Sequence, residues 1–291
     1  MQAITSKDNA KLKAVRALVR SKKERQATSC FVMEGVRALS ALVDGSALSQ
    51  YQLKEVWVSE DAVALAEKFD VPVFSIPPGF MEQLSDCRTS QGILGVVEYT
   101  VTPLEINPEQ GNYLLLDRLM DPGNMGTLIR SAVAFGFDGV LLHGDCVEVF
   151  NPKTVRATMG ALPFSKVWAT ALHHSASRSG EKDGESDIFQ RVEELGYDLI
   201  STAMGGGENL HRAAFGSKTV LVIGNEANGV SDSVFKRCTR TLTIPMTGPE
   251  PTGERGSANA GQRPTGVANV ESLNAGVAGS ICMCAISSAK I

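Results

Sequence analysis

The 291-residue sequence predicts an α/β protein: a C-terminal parallel-sheet α/β domain preceded by a small α/β sandwich. Three observations carry this expectation. Residues 113–142, YLLLDRLMDPGNMGTLIRSAVAFGFDGVLL, read as strand, loop, helix and strand, and that order makes parallel pairing the default. Residues 31–99 alternate short apolar runs with helical patterns, as layered α/β modules do. Between the two lies VTPLEINPEQGN, 101–112, mostly polar with two prolines, which reads as a junction. The domains are therefore placed at 1–103 and 111–291.

Along the first domain, residues 5–23 read as an amphipathic helix, with Ser6 or Asp8 as cap and Leu12, Val15, Leu18 and Val19 on its apolar face. FVMEGVRALSALV, 31–43, starts as a strand and turns helical at Glu34. Strands follow at 53–59, 71–76 and 92–99, with a helix predicted over 61–69 and a short one in FMEQLS.

In the second domain, Tyr113–Leu116 is a buried strand ending at Asp117. Asp121, Pro122, Gly123 and Asn124 form the loop, Leu128, Ala132 and Phe135 give helical spacing, and Gly136 closes the helix. Ligands of such units gather beyond the carboxyl ends of the strands, where Asn124 and Arg130 lie. Asn151 with Pro152 starts another helix, carrying Lys153 and Arg156 three apart. Strands are expected at 166–170, 197–203, 219–226 and 239–246, with a helix in VSDSVFKRC that Ser231 can cap. A final helix follows Ser272 as its cap, with Leu273, Val277 and Ile281 on its apolar side.

Composition narrows the function. Hydrophobic residues make up 43% of the chain and no apolar run reaches the 18 or so residues of a membrane helix. The N-terminus is polar and charged, without the apolar core of a signal peptide, so a cytoplasmic location is expected. The six cysteines are scattered with no CxxC pair, which favours reduced, structural thiols and no zinc. Cys282 and Cys284 are expected in the core. Adjacent His173 and His174, in the polar stretch 173–187, lack metal-site spacing. No glycine-rich dinucleotide or P-loop signature occurs. The net charge is −4, yet residues 7–25 hold eight basic residues against Asp8 and Glu24, a local +6 that leaves −10 for the rest. Such asymmetry suggests a polyanionic partner, with Lys11, Arg16, Arg20, Lys153 and Arg156 as candidate phosphate contacts.

DPGNMGTLIRSAVAFGFDGVLL resembles the first motif of the SpoU/TrmH family of RNA ribose 2′-O-methyltransferases, within the SPOUT superfamily. VLVIGNEANGVS, 220–231, is similar to the second motif, and IPM, 244–246, with SLNAGVA, 272–278, to the third. NPKTVRATMGAL, 151–162, also resembles a family stretch. The first domain looks like the substrate-binding domain often found ahead of this catalytic domain, with Glu34-Gly35 and Ser90-Gln91-Gly92 as matching stretches. The sequence departs from the family at 248–271, GPEPTGERGSANAGQRPTGVANVE. A short turn is expected there; instead some twenty residues without core-forming side chains intervene, which reads as a flexible, peripheral insertion over 249–269.

The resemblance implies a deep trefoil knot, a homodimer, no metal, and S-adenosylmethionine as methyl donor. It implies RNA as substrate, large-subunit 23S ribosomal RNA first; a tRNA ribose, or an RNA-binding protein that has lost catalysis, are the alternatives. Carried over by position, the cofactor would meet Thr202, Gly224, Ile244, Met246 and Leu273. Arg130, Asn124, Glu226, Ser272 and Asn274 match the polar positions of catalysis. Because sulfonium is already a good leaving group, the protein must chiefly align the hydroxyl and ease loss of its proton. Guanidinium stays protonated in proteins, so Arg130 suits phosphate clamping and stabilisation of a developing alkoxide better than the work of a base.

Overall fold

The computed structural model describes residues 1–43, 48, 50–85, 90–101, 105–169, 184–246 and 272–289. The first sheet has five strands: β1 (Gln2–Ala3), β2 (Cys30–Glu34), β3 (Tyr51–Ser59), β4 (Val73–Ile76) and β5 (Ile93–Tyr99). Their order is β1-β4-β3-β5-β2, with β1, β4 and β3 parallel and β5 antiparallel to both β3 and β2. Helices α1 (Ala10–Arg20), α2 (Lys22–Thr28), α3 (Val36–Val43) and α4 (Pro78–Leu84) cover it. Leu12, Val15 and Leu18 of α1 bury against Trp57, Phe74 and Ile76.

The expected helix over 5–23 is two helices. Asn9, not Ser6 or Asp8, caps α1 by accepting from the Lys11 amide at 2.9 Å. The helix stops at Ser21, whose extended backbone lets its hydroxyl accept from the Glu24 amide and start α2. The helix expected over 61–69 is a 3-10 turn, Val63–Ala66. Its bonds run i to i+3, Leu65 to Ala62 and Phe69 to Ala66, which winds the chain tightly enough to bury both Ala66 and Phe69.

The second sheet has seven strands: β6 (Gly111–Asp117), β7 (Gly139–His143), β8 (Val167–Ala169), β9 (Asp198–Thr202), β10 (Glu208–Asn209), β11 (Lys218–Ile223) and β12 (Arg240–Thr243). The order is β10-β12-β9-β11-β6-β7-β8 and every pairing is parallel. β6 is buried along its whole length and β11 nearly so, which is why both read as continuous apolar runs. Helices α5 (Pro122–Ala134), α6 (Pro152–Ala157) and α9 (Ala275–Ser288) pack on one another and the sheet on one side; α7 (Gly184–Glu194) covers the other, and α8 (Asp232–Phe235) is a single turn. The helix predicted in VSDSVFKRC shrinks to that turn, and the Ser231 hydroxyl makes no cap bond.

The last helix corrects three expectations. Its cap is Asn274, not Ser272: Oδ1 accepts from the Val277 amide at 3.2 Å. Its buried face is Gly276, Gly279, Cys282, Met283 and Ile286, while Val277 and Ile281 are 46% and 36% exposed. Cys282 is buried but Cys284 is exposed. Gly276 and Gly279 let α9 close on α5; a Cβ at Gly279 would lie 2.3 Å from Leu128.

The two sheets are bolted together. Phe150, just ahead of α6, stacks on Tyr99 with ring centroids 4.0 Å apart and on Phe31 at 4.8 Å. The buried Arg25 guanidinium makes a two-pronged contact with Glu148, at 2.8 and 2.5 Å, and also donates to the Leu18 carbonyl. Residues 173–187 fall outside the described residues except for the backbone of α7. The insertion 249–269 lies wholly outside them, and the expected knot depends on the path from Met246 to Ser272, which does too. Among the described residues no helix is long and apolar enough to cross a membrane, and no cluster of His, Cys, Asp and Glu makes a metal site.

Candidate active site

Parallel pairing aligns the carboxyl ends of the central strands. Leu116 lies opposite Ile223 and Asp117 opposite His143, so the loops 118–121 and 224–231 leave the sheet side by side. Glu226 stitches them. Oε1 accepts from the Asp121 amide at 2.9 Å and from Asn124 Nδ2 at 3.0 Å, and Oε2 accepts from the Met120 amide at 3.1 Å. Burial alone would raise its carboxyl; the bonds from Asn124, Asp121 and Met120 outweigh that and hold it below the ordinary value. Asn225 adds a second stitch, donating to the Arg118 carbonyl at 2.9 Å, and buried Asp117 a third, accepting from the Ser231 amide at 2.6 Å.

Asn124 sits where Asp121 starts α5: the Asp121 carboxylate accepts from its amide at 2.7 Å and Pro122 occupies the first turn. With its side chain on Glu226, buried Asn124 braces the two loops. A Cβ added to Gly276 would fall 3.2 Å from Asn124 Oδ1, so α9 abuts the same spot.

Beside this junction opens a cavity of about 420 Å³. Thr202, Gly224, Ile244, Met246 and Leu273 all line it, together with Glu226 and Ser272. They come from the ends of β9, β11 and β12 and the approach to α9. Apolar walls with a few polar groups are what small-molecule sites share. Gly224 is required sterically: a Cβ there would lie 2.2 Å from the Gly229 carbonyl carbon, because the 224–229 turn folds back through paired bonds between Asn225 and Gly229. Asn274 is not among the lining residues; its side chain is committed to the helix cap.

Residues 111–251 match the SpoU rRNA Methylase family, and residues 9–95 match the MRM3-like substrate binding domain. The chain carries a SpoU methylase domain behind an MRM3-like substrate-binding domain. It is 27% identical over 252 residues to a Bacillus subtilis protein named 23S rRNA (guanosine(2553)-2′-O)-methyltransferase, covering 85% of this chain and 92% of that one. A Streptomyces viridochromogenes 23S rRNA (uridine(2479)-2′-O)-methyltransferase is 29% identical over 252 residues, 84% of each. An AdoMet-bound rRNA methyltransferase from Sinorhizobium meliloti superposes with a TM-score of 0.72 at 25% identity, covering 98% of this chain and 97% of that one.

In this SpoU methylase domain Arg130 stands apart from the other catalytic candidates. It is six residues beyond Asn124 on α5, about 120° around a helix of 3.6 residues per turn. It lines a second cavity, of about 230 Å³, between the two sheets. Arg156 lines the same cleft, and Lys153 is exposed on the same short helix. On α1, Lys11 lies over the Phe74 ring at 4.5 Å, Arg16 donates to Gln83 at 3.0 Å, and Arg20 is exposed. Arg25, counted in the basic cluster, is withdrawn from it by its buried pairing with Glu148.

Sequence reasoning passed over Asp117 and Asn225, whose bonds hold the two loops in register. Asn225 stood inside the second motif, a signal that was present but assigned no role. Arg37, on α3 in the cleft, carried no local signal at all.

Proposed function

We propose that this methyltransferase moves a methyl group from S-adenosylmethionine to a ribose 2′-hydroxyl of large-subunit ribosomal RNA and works as a homodimer. The observation that carries it is the cavity at the strand ends, walled by the 224–230 turn, the ends of β9 and β12 and the start of α9, with Gly224 leaving no room for a side chain. Its size falls within the roughly 300–1,000 Å³ of small-molecule sites. Its apolar walls suit an adenine ring, and Thr202 and Ser272 supply polar atoms for the ribose. When bound, S-adenosylmethionine supplies the methyl group on a good leaving group. Glu226, Asn124, Asn225 and Asp117 hold the cavity walls, and Arg130 offers N–H donors for a phosphate and for charge growing on the attacking oxygen.

Two features support a dimer. α9 is apolar nearly all round, yet Val277, Ile281 and Cys284 form an exposed stripe at helical spacing, and helices of that kind are usually covered. Arg130 also faces away from the cavity of its own chain, so a second copy can bring its own arginine to the ribose. The two relatives named as 23S rRNA 2′-O-methyltransferases support ribosomal RNA as substrate.

The test has two parts. Calorimetry should show S-adenosylmethionine binding to the full chain, and mapping of 2′-O-methyl groups in RNA from a deletion strain should show one large-subunit position lost. Loss of a tRNA methyl group instead would replace the substrate; no change in any RNA, with no cofactor bound, would overturn the reading.

A further inference from the structure

The cleft between the two sheets is built differently from the cofactor cavity. Arg37 from the first half and Arg130 and Arg156 from the second all line it. Among the described residues the one carboxylate in the lining is that of Glu34. That carboxylate is already engaged: the Ser85 hydroxyl donates to it at 2.8 Å, Ser90 at 3.1 Å and the Gln91 amide at 3.3 Å. In a chain of net charge −4, a cleft whose described lining holds more guanidinium groups than carboxylates is a local reversal of sign. It selects anions from solution.

The cleft also has an apolar floor, including Leu94, and an exposed methionine at its rim. Met159 is 68% exposed and holds a left-handed backbone, φ 52°, a conformation uncommon outside glycine. Gln91 lies in the cleft with its amide across Gly35; a Cβ at Gly35 would come within 2.7 Å of Gln91 Oε1. Glu34 thus fixes the backbone of Gln91, and bare Gly35 leaves space for its side chain. Below, Gly160 meets Ala38 at a distance that leaves 3.3 Å to an added Cβ. The Arg25–Glu148 pair and the Phe150 stack keep the two walls at a fixed separation.

Arginine forks for phosphate, an apolar bed for a ring and one amide with both a donor and an acceptor are the requirements of an unpaired nucleotide. A duplex is a poor fit, because the bases of A-form RNA are stacked and its deep groove is closed to side chains. At about 230 Å³, below the roughly 300–1,000 Å³ of small-molecule sites, the cleft has room for a single base with its phosphates at the rim and not for a stacked run. We propose that it seats an unpaired nucleotide of the RNA substrate, with flanking phosphates on Arg37, Arg130 and Arg156, the base against Met159, and the base edge read by Gln91. This rests on the methyltransferase reading above and adds the site where the RNA is held and the residues that choose its sequence.

The experiment uses the full chain and a labelled single-stranded RNA of mixed sequence, about ten nucleotides long, within the usual site size of single-strand binders. The same RNA annealed to its complement is the comparison. Wild type should bind the single strand at least tenfold more tightly than the duplex. Arg37→Ala should weaken single-strand binding about tenfold, the scale of one charge-assisted contact, and lower the salt slope by about 0.7. Gln91→Ala should leave the salt slope unchanged while narrowing the difference in affinity between oligo-adenylate and oligo-uridylate. Equal affinity for single strand and duplex, or Arg37→Ala within twofold of wild type at an unchanged slope, would overturn the proposal. Calorimetric binding of S-adenosylmethionine to each variant separates the two readings. If the cofactor binds normally while Arg37 and Gln91 prove indifferent, the cleft assignment alone fails. If wild type binds no cofactor, the methyltransferase reading fails first.

Discussion

The strand-end cavity proposed for the cofactor and the inter-sheet cleft are lined by different elements and are made by opposite means. The cavity is a product of backbone. Its walls are turns held by Glu226, Asn225 and Asp117, and its central demand is the absence of a side chain at Gly224. The cleft is a product of side chains. Arg37, Arg130 and Arg156 reach it from two halves of the chain that Arg25, Glu148 and Phe150 lock together. A compact uniform ligand is well served by the first design. A long polyanion with one nucleotide to be singled out is served by the second.

This contrast can be broken by mutation. Arg130→Ala should leave S-adenosylmethionine affinity within twofold while methyl transfer falls by at least about a hundredfold, the loss seen when one donor to a developing oxyanion is removed. Near-normal turnover would detach Arg130 from the chemistry. Arg25→Ala leaves the partly buried Glu148 without its partner, and should cost up to about 3 kcal/mol in thermal or denaturant unfolding, the low end for a buried pair. A variant as stable as wild type would show that Phe150 alone holds the halves together. Gly224→Ala should weaken cofactor binding by about 1–3 kcal/mol, the scale of overpacking a tight site, with RNA affinity unchanged. Equal loss of both would mean that cavity and cleft are not separate.

The smallest effect expected is that of pH on Glu226. Its carboxyl sits below the ordinary 4.5 in the folded chain, so the unfolded state takes up its proton first as pH falls. The stitch therefore contributes fully above the ordinary carboxylate range and is lost only as pH drops through the lower folded value. Cofactor affinity should be flat from neutral pH down to about that range. A decline centred near neutrality would point to another group.

Much of the second half could be read directly. The apolar runs at 113–116 and 219–223 had to be buried strands, and Leu128 and Ala132 had to lie on a helix, but Pro122, Gly123 and Asn124, read as loop, form its first turn because the Asp121 carboxylate caps it there. Misreadings came where two good local answers competed. Ser272 and Asn274 are both sound caps; Asn274 won because its carboxamide reaches the Val277 amide, while Ser272 faces the cavity. Residues 10–28 have one continuous basic pattern, yet Ser21 divides them, since its hydroxyl offers the Glu24 amide a better partner than the helix does.

What the sequence by itself determined is everything that depends on neighbours in the chain: the strand periods, the loop chemistry and the order of the motifs, whose resemblance to a family named the residues that meet at the strand-end cavity. Adjacent strands in a parallel sheet bring motif ends together without further instruction. Only the tertiary structure decided what each charge is for. Arg25 and Arg20 are indistinguishable in a local count, but one meets Glu148, 123 residues away, and is buried, while the other stays in solvent. Arg37 and Arg130 became members of one site for the same reason. Electrostatic partnership depends on distance and burial in space, and those exist only once the two halves have docked.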